Sequence, residues 1–199
     1  LKTKADLARA LGEGLRADVD PLNATDLHTD RLFGSWVSPG FDTPDRNIAY
    51  LLQGWLGLPD RDYYLKDDAR MKDLREKYQA HVAAVLGLAA VPDAKAKAAR
   101  VFALETKIAK VHASREDSGQ VLKANNPWKR ADFPARAPGL DWAAFFRAAG
   151  LERESMIMVW QPSAVIGEAA LVGSEPLADW QSWLCFHALD RRARLLPKA

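Results

Sequence analysis

Two adjoining stretches of helical periodicity, together running from Asp67 to Val111, constrain what this chain can fold into more than any other feature. Met71, Leu74, Tyr78, Val82 and Val85 recur at spacings of three and four, the interval at which side chains share one face of an α-helix. The spacing predicts a long helix over Asp67–Leu88, buried along one stripe, with Gly87 near its frayed end. Pro92 suits the first turn of a second long helix. There Ala96, Ala99, Phe102, Ile108 and Val111 continue the pattern through alanine-rich sequence of high propensity. Joined by so few residues, the two are expected to form an antiparallel hairpin, which points to a mainly helical fold.

The flanking segments read as smaller elements of the same fold. Leu7, Leu11 and Leu15 mark an amphipathic helix ending near Asp18–Pro21. Leu32, Phe33, Trp36 and Val37 precede Ser38-Pro39-Gly40 and the apolar run Ile48–Leu52, a hairpin pattern with Asp42–Asn47 as its turn. Ser114–Pro138 lacks sustained periodicity and is expected to be a mostly irregular connection with room for one helical turn. Asp141 can cap a short helix that points Trp142, Phe145 and Phe146 inward and ends at Gly150. Met156–Trp160 reads as a short buried strand and Ser163–Val172 as a helix. Ser174-Glu175-Pro176 opens a last helix with Leu177, Trp180, Leu184 and Ala188 inward. The expected architecture is mainly α, a multi-helical domain with a small β-hairpin. No repeat or linker divides residues 1–199, which are expected to form a single domain.

Composition limits the partners. With 199 residues, 48% hydrophobic content and a formal charge of +2, the chain resembles an ordinary globular protein and has no excess charge to attract nucleic acid. Seven tryptophans supply large contact areas for a core. Cys185 is the one cysteine, so no intrachain disulfide can form, and its apolar neighbours Trp183, Leu184 and Phe186 predict an inert buried thiol. No run approaches the roughly 18 apolar residues of a membrane span. No membrane contact is expected from this segment. The chain starts at Leu1 with neither an initiating Met nor a signal-like leader, and reads as a piece of a longer polypeptide.

Catalytic patterns are missing. His28, His81, His112 and His187 are too far apart in sequence for any two to lie at i and i+4 on one helix, the arrangement that lets two imidazoles hold a catalytic zinc. There is no glycine-flanked serine elbow, and Cys185 lacks cationic neighbours to activate it. Gly54 and Gly57 enclose the bulky Trp55-Leu56 pair and lead to no Lys-Ser or Lys-Thr, so they do not make a phosphate loop. Asp60 and Asp62 flank Arg61, which favours capping and local salt bridges over acid-base work. Arg191, Arg192, Arg194 and Lys198 fit the end of a helix, where cations complement its dipole. No catalytic or metal-binding residue is predicted, and no cofactor is expected within this chain.

One string is generated by no secondary-structure period: Leu56-Gly57-Leu58-Pro59-Asp60-Arg61-Asp62-Tyr63-Tyr64-Leu65, with Gln53 upstream. Pro59 fixes its own φ and pushes Leu58 toward extended backbone, and the two tyrosines add apolar bodies with polar tips. Gln53, Gly57, Leu58, Pro59, Arg61, Asp62, Tyr63 and Tyr64 closely resemble the signature of the amino-terminal helical domain of the neprilysin and endothelin-converting-enzyme family of zinc metallopeptidases. Asp45-Arg46-Asn47, Tyr50, Leu104-Glu105, Ile108-Ala109, Asn126-Pro127, Leu140-Asp141-Trp142 and Trp180–Leu184 resemble the family in the same order. The chain departs from it at Trp55, where many relatives carry a small residue.

The resemblance implies an extracytoplasmic enzyme, periplasmic, secreted or envelope-anchored, in which a helical domain faces a zinc-bearing catalytic domain and restricts access to oligopeptides. The family's zinc ligands, in a His-Glu-x-x-His helix and a further glutamate, lie in a carboxy-terminal domain that these residues do not include. The implied partners are that catalytic domain and peptide substrates. The alternative reading is an independent helical interaction module with no enzymatic role.

Overall fold

A computed structural model describes residues 1–16 and 31–192, which gather into two compact units. The first holds Leu1–Trp55 and Val111–Ser174, and the second Leu56–Lys110 and Glu175–Ala199. His28, the expected Asp18–Pro21 turn, Arg194 and Lys198 lie outside the described residues.

In the first unit α1 (Lys4–Glu13) begins with a capping box. The Thr3 hydroxyl accepts from the Asp6 N–H while the Asp6 carboxylate accepts from the Thr3 N–H, so two orphan donors of the first turn are satisfied. Leu7 and Leu11 are buried as the spacing predicts, and α1 packs on α7 (Trp142–Ala148). Asp141 caps α7 through the Ala144 N–H at 3.0 Å, and the chain leaves it through Gly150 at φ +74°. That left-handed value is one a glycine adopts without a Cβ penalty.

The expected hairpin forms from β1 (Phe33–Pro39) and β2 (Asn47–Gln53), antiparallel, with Trp36 opposite Tyr50. It belongs to a larger sheet. β4 (Met156–Val159) pairs parallel to β2, and β3 (Pro127–Lys129) pairs antiparallel to β4, giving the order β1-β2-β4-β3. The segment expected to be mostly irregular therefore contains a strand. It also contains α5 (Arg115–Ser118), two short 3-10 turns and α6 (Phe133–Arg136). Helix α8 (Pro162–Ser174) packs on β2.

The core beside the sheet is aromatic. Trp142 lies 4.8–5.7 Å, ring centre to ring centre, from Phe33, Phe133, Phe145 and Phe146, and its indole N–H donates to the Ala137 carbonyl. All five rings are buried.

The second unit holds α2 (Asp62–Leu65), α3 (Ala69–Leu88), α4 (Ala94–Val111, whose last residue clusters with the first unit) and α9 (Leu177–Asp190). Asp68 caps α3 through the Met71 N–H at 2.9 Å. Tyr78 and Val82 are buried as expected, together with Leu86. In α4 the inward face is Ala98, Val101, Leu104, Glu105, Ile108 and Ala109, whereas Ala96 and Ala99 are exposed. Alanine suits either side of a helix, so the bulkier Val101, Leu104 and Ile108 set which face turns in. Trp180, Trp183 and Phe186 of α9 are buried, as is most of the tryptophan content, but Cys185 is only half-buried, a correction to the buried thiol expected from its neighbours. The helical face of α9 turns Trp183 and Phe186 inward and leaves both residues between them, Cys185 and the Leu184 expected inward, half-buried at the edge.

Candidate functional site

The signature folds into a tight turn and the single helical turn of α2. Asp60 accepts the Asp62 N–H on its carboxylate at 2.8 Å, a side-chain mimic of a backbone turn, and Asp62 pairs with Lys66 at 2.8 Å. The two carboxylates are thus occupied locally. The ion pair runs to Lys66, while the Nε of Arg61 has no hydrogen-bond partner among the described residues. Pro59 is exposed, and Leu56 and Leu58 are buried. Tyr63 offers its carbonyl to the Arg75 guanidinium at 3.0 Å, fixing the turn to α3.

Tyr64 goes inward, stacked on Phe102 with ring centres 5.7 Å apart. Its hydroxyl accepts the Leu58 N–H at 2.9 Å and donates to Glu105 Oε2 at 2.8 Å. On the other carboxylate oxygen, Glu105 Oε1 accepts from His187 Nε2 at 2.8 Å and from the Trp183 indole at 3.2 Å. Glu105 is completely buried and His187 is 5% exposed. A buried carboxylate is tolerated only when donors surround it. Here α2 and α9 each bring donors to an acid on α4. Burial, followed by the negative charge of Glu105, pushes the Tyr64 phenol well above its ordinary range, and the same causes raise Tyr78. Both tyrosines therefore stay protonated, and Tyr64 remains a donor to Glu105 at any ordinary pH.

Gly57 is set by Tyr78. A Cβ at position 57 would lie 1.8 Å from the Tyr78 hydroxyl oxygen, so the turn approaches α3 more closely than any side chain permits. Gly57→Ala is expected to cost about 2 kcal/mol through overpacking. Urea unfolding checks this, and the cost should shrink sharply in a Tyr78→Ala background, where the clashing ring is absent.

Gln53 belongs to the first unit. Its N–H donates to Gln161 Oε1 at 3.0 Å, while its side-chain amide accepts from the Ala113 N–H at 2.7 Å and donates to the Ala113 carbonyl at 3.3 Å. The amide acts as one more rung of pairing beyond the end of β2. Of the signature residues, Gln53, Gly57, Asp62, Tyr63 and Tyr64 make the local contacts described, while Pro59 is exposed.

The described histidines each meet a carboxylate at 2.8 Å: His81 with Asp190, His112 with Glu168, and His187 with Glu105. Among the described residues no group of three or more His, Cys, Asp or Glu converges to hold a metal ion. Spacing gave no hint of these pairings. The inward position of Glu105 did carry a signal, because an acid flanked by Leu104 and Ile108 on an apolar stripe needs buried donors.

His112 and Glu168 make the corresponding buried pair of the first unit. Burial pushes the Glu168 carboxyl up to about 7 from 4.5, with His112 partly offsetting it. A raised carboxyl binds its proton more tightly in the folded state. Its contribution to stability is therefore full below pH 4.5, falls as pH rises to about 7, and is constant above. The fall is expected to be about 3 kcal/mol. Urea unfolding at pH 5 and pH 8 measures it, and Glu168→Gln should flatten the difference.

The family model described as "Peptidase family M13" matches residues 1–199, and the chain belongs to that family. Endothelin-converting enzyme 1 of Cavia porcellus is 26% identical over 130 residues, covering 63% of this chain and 17% of the relative. The Bos taurus enzyme is 26% identical over 120 residues, covering 59% and 16%. Zinc metalloprotease Zmp1 of Mycobacterium tuberculosis, solved with an inhibitor, is similar over 100% of this chain and 29% of its own, at TM-score 0.84 and 25% identity. PepO of Lactobacillus rhamnosis shares the fold at TM-score 0.73 and 17% identity, over 98% and 30%. The chain thus spans less than a third of the length of these relatives.

Proposed function

We propose that residues 1–199 form part of one noncatalytic domain of a zinc metalloendopeptidase, acting extracytoplasmically, and that this domain restricts access to oligopeptides. The observation that carries this reading is the similarity of the whole chain to 29% of a zinc metalloprotease. Catalysis is then assigned to a domain outside these residues, which holds the metal and meets this one as its intramolecular partner. The chain supplies a wall instead. A wall selects substrates only if it keeps its shape, and the buried Glu105 network and the aromatic core are the kind of close packing that does so.

Peptide hydrolysis tests the division of labour. The full-length parent is expected to cleave short peptides, to spare folded proteins, and to lose turnover to a chelator, whereas residues 1–199 with added zinc are expected to be inactive. Zinc-dependent turnover by residues 1–199, or equal cleavage of folded proteins by the parent, would overturn the proposal.

A further inference from the structure

The tip joining α3 to α4 has a composition that neither the core nor the signature explains. From Val82 to Pro92 the sequence is Val-Ala-Ala-Val-Leu-Gly-Leu-Ala-Ala-Val-Pro, without a polar or charged side chain. Val82 and Leu86 are buried, but Gly87, Leu88, Ala89, Ala90 and Pro92 are exposed, Leu88 by 80%. The tip is held in one shape: the Val91 N–H donates to the Leu86 carbonyl and the Ala90 N–H to the Gly87 carbonyl, with Ala90 in the left-handed region at φ 53°. That is a helix-ending motif usually built on glycine, here built on alanine at some cost in strain.

Cations follow at once. Lys95, Lys97 and Arg100 occupy the first turns of α4, none with an ion pair among the described residues, and the acid nearest in sequence is Asp93. The solvent-facing side of these turns carries Lys95 and Arg100 beside the exposed Ala96 and Ala99, with the half-buried Lys97 at its edge, so no bulky side chain keeps the cations from an anionic surface at the tip. An exposed apolar tip with adjoining unpaired cations is the chemistry of an interfacial membrane contact. No described helix is long and apolar enough to cross a membrane, so the contact would be superficial.

We propose that Gly87–Pro92 docks on an anionic phospholipid surface, with Leu88 entering the headgroup boundary and Lys95, Lys97 and Arg100 facing lipid phosphates. This revises the expectation that the segment meets no membrane, and it is independent of the proposed peptidase role. A neutral apolar protein partner would use Leu88 but has no need of the three cations.

Co-sedimentation of residues 1–199 with vesicles tests it. Binding is expected to vesicles of phosphatidylglycerol and phosphatidylcholine at one to two, and not to phosphatidylcholine alone. Leu88→Asp should weaken binding at least ~10-fold, and Lys95→Gln, Lys97→Gln and Arg100→Gln together by roughly 100-fold. Both variants alter exposed or half-exposed side chains, and an unchanged melting temperature confirms folding. No binding to the anionic vesicles, equal binding to neutral ones, or indifference to Leu88→Asp would overturn the proposal. So would lipid-free self-association abolished by Leu88→Asp, which would assign the tip to a second copy of the chain.

Discussion

Glu105→Ala is expected to lower the unfolding free energy by about 4 kcal/mol, the largest effect of any single substitution in the second unit. The substitution deletes the shared acceptor of Tyr64, Trp183 and His187, leaving three buried donors without a partner and a cavity among them. Glu105→Gln keeps one acceptor oxygen but turns an amide toward groups that are themselves donors. It is expected to cost about half as much. Urea unfolding followed by tryptophan fluorescence measures both, since Trp183 sits on the carboxylate. A cost for Glu105→Ala below about 1 kcal/mol would show that the network does not hold the unit together.

Trp142→Ala should cost the first unit a similar amount, about 4 kcal/mol. The indole is 2% exposed and touches four other buried rings, so truncation empties a space that rigid aromatic neighbours cannot refill. It also removes the donor to the Ala137 carbonyl, which lies between α6 and α7. Trp142→Phe retains most of the ring area and loses that hydrogen bond, so about 2 kcal/mol is expected. Thermal unfolding of the two variants separates the packing contribution from the hydrogen bond.

Local signals made the helices legible. Asp141 caps where it was expected to, and Tyr78 and Val82 lie on the stripe that their spacing predicts. The hairpin was legible too, because β1 and β2 are close in sequence and separated by turn residues. What escaped sequence reading depends on distant partners. Three residues, Pro127–Lys129, become a strand only because β4 arrives with Ile157 opposite Trp128, and β4 itself is placed by its parallel pairing to β2. No periodicity over three residues can announce that. The α4 face was ambiguous for a different reason, since alanines occur on both sides of that helix.

The same division applies to the candidate site. The signature residues Gln53, Gly57 and Tyr64 stood out in sequence, but their partners Ala113, Tyr78 and Glu105 come from other segments. Folding turns a string that resembled part of an enzyme into fastenings: a glutamine that extends a sheet, a glycine that admits a tyrosine, and a tyrosine that satisfies a buried acid. The resemblance identified the family, while the hydrogen bonds show which segments the signature residues meet.

On the proposed division of labour the signature builds the domain and takes no part in bond cleavage. The most direct measurement is kcat for a short peptide in the full-length parent carrying Tyr64→Phe, made alongside its unfolding curve. The expected result is a loss of stability of about 2 kcal/mol from the unpaired Leu58 N–H and Glu105 oxygen, with kcat within a few-fold of the unsubstituted enzyme. A fall in kcat of roughly a thousandfold with unchanged stability, the signature of a lost transition-state interaction, would contradict it.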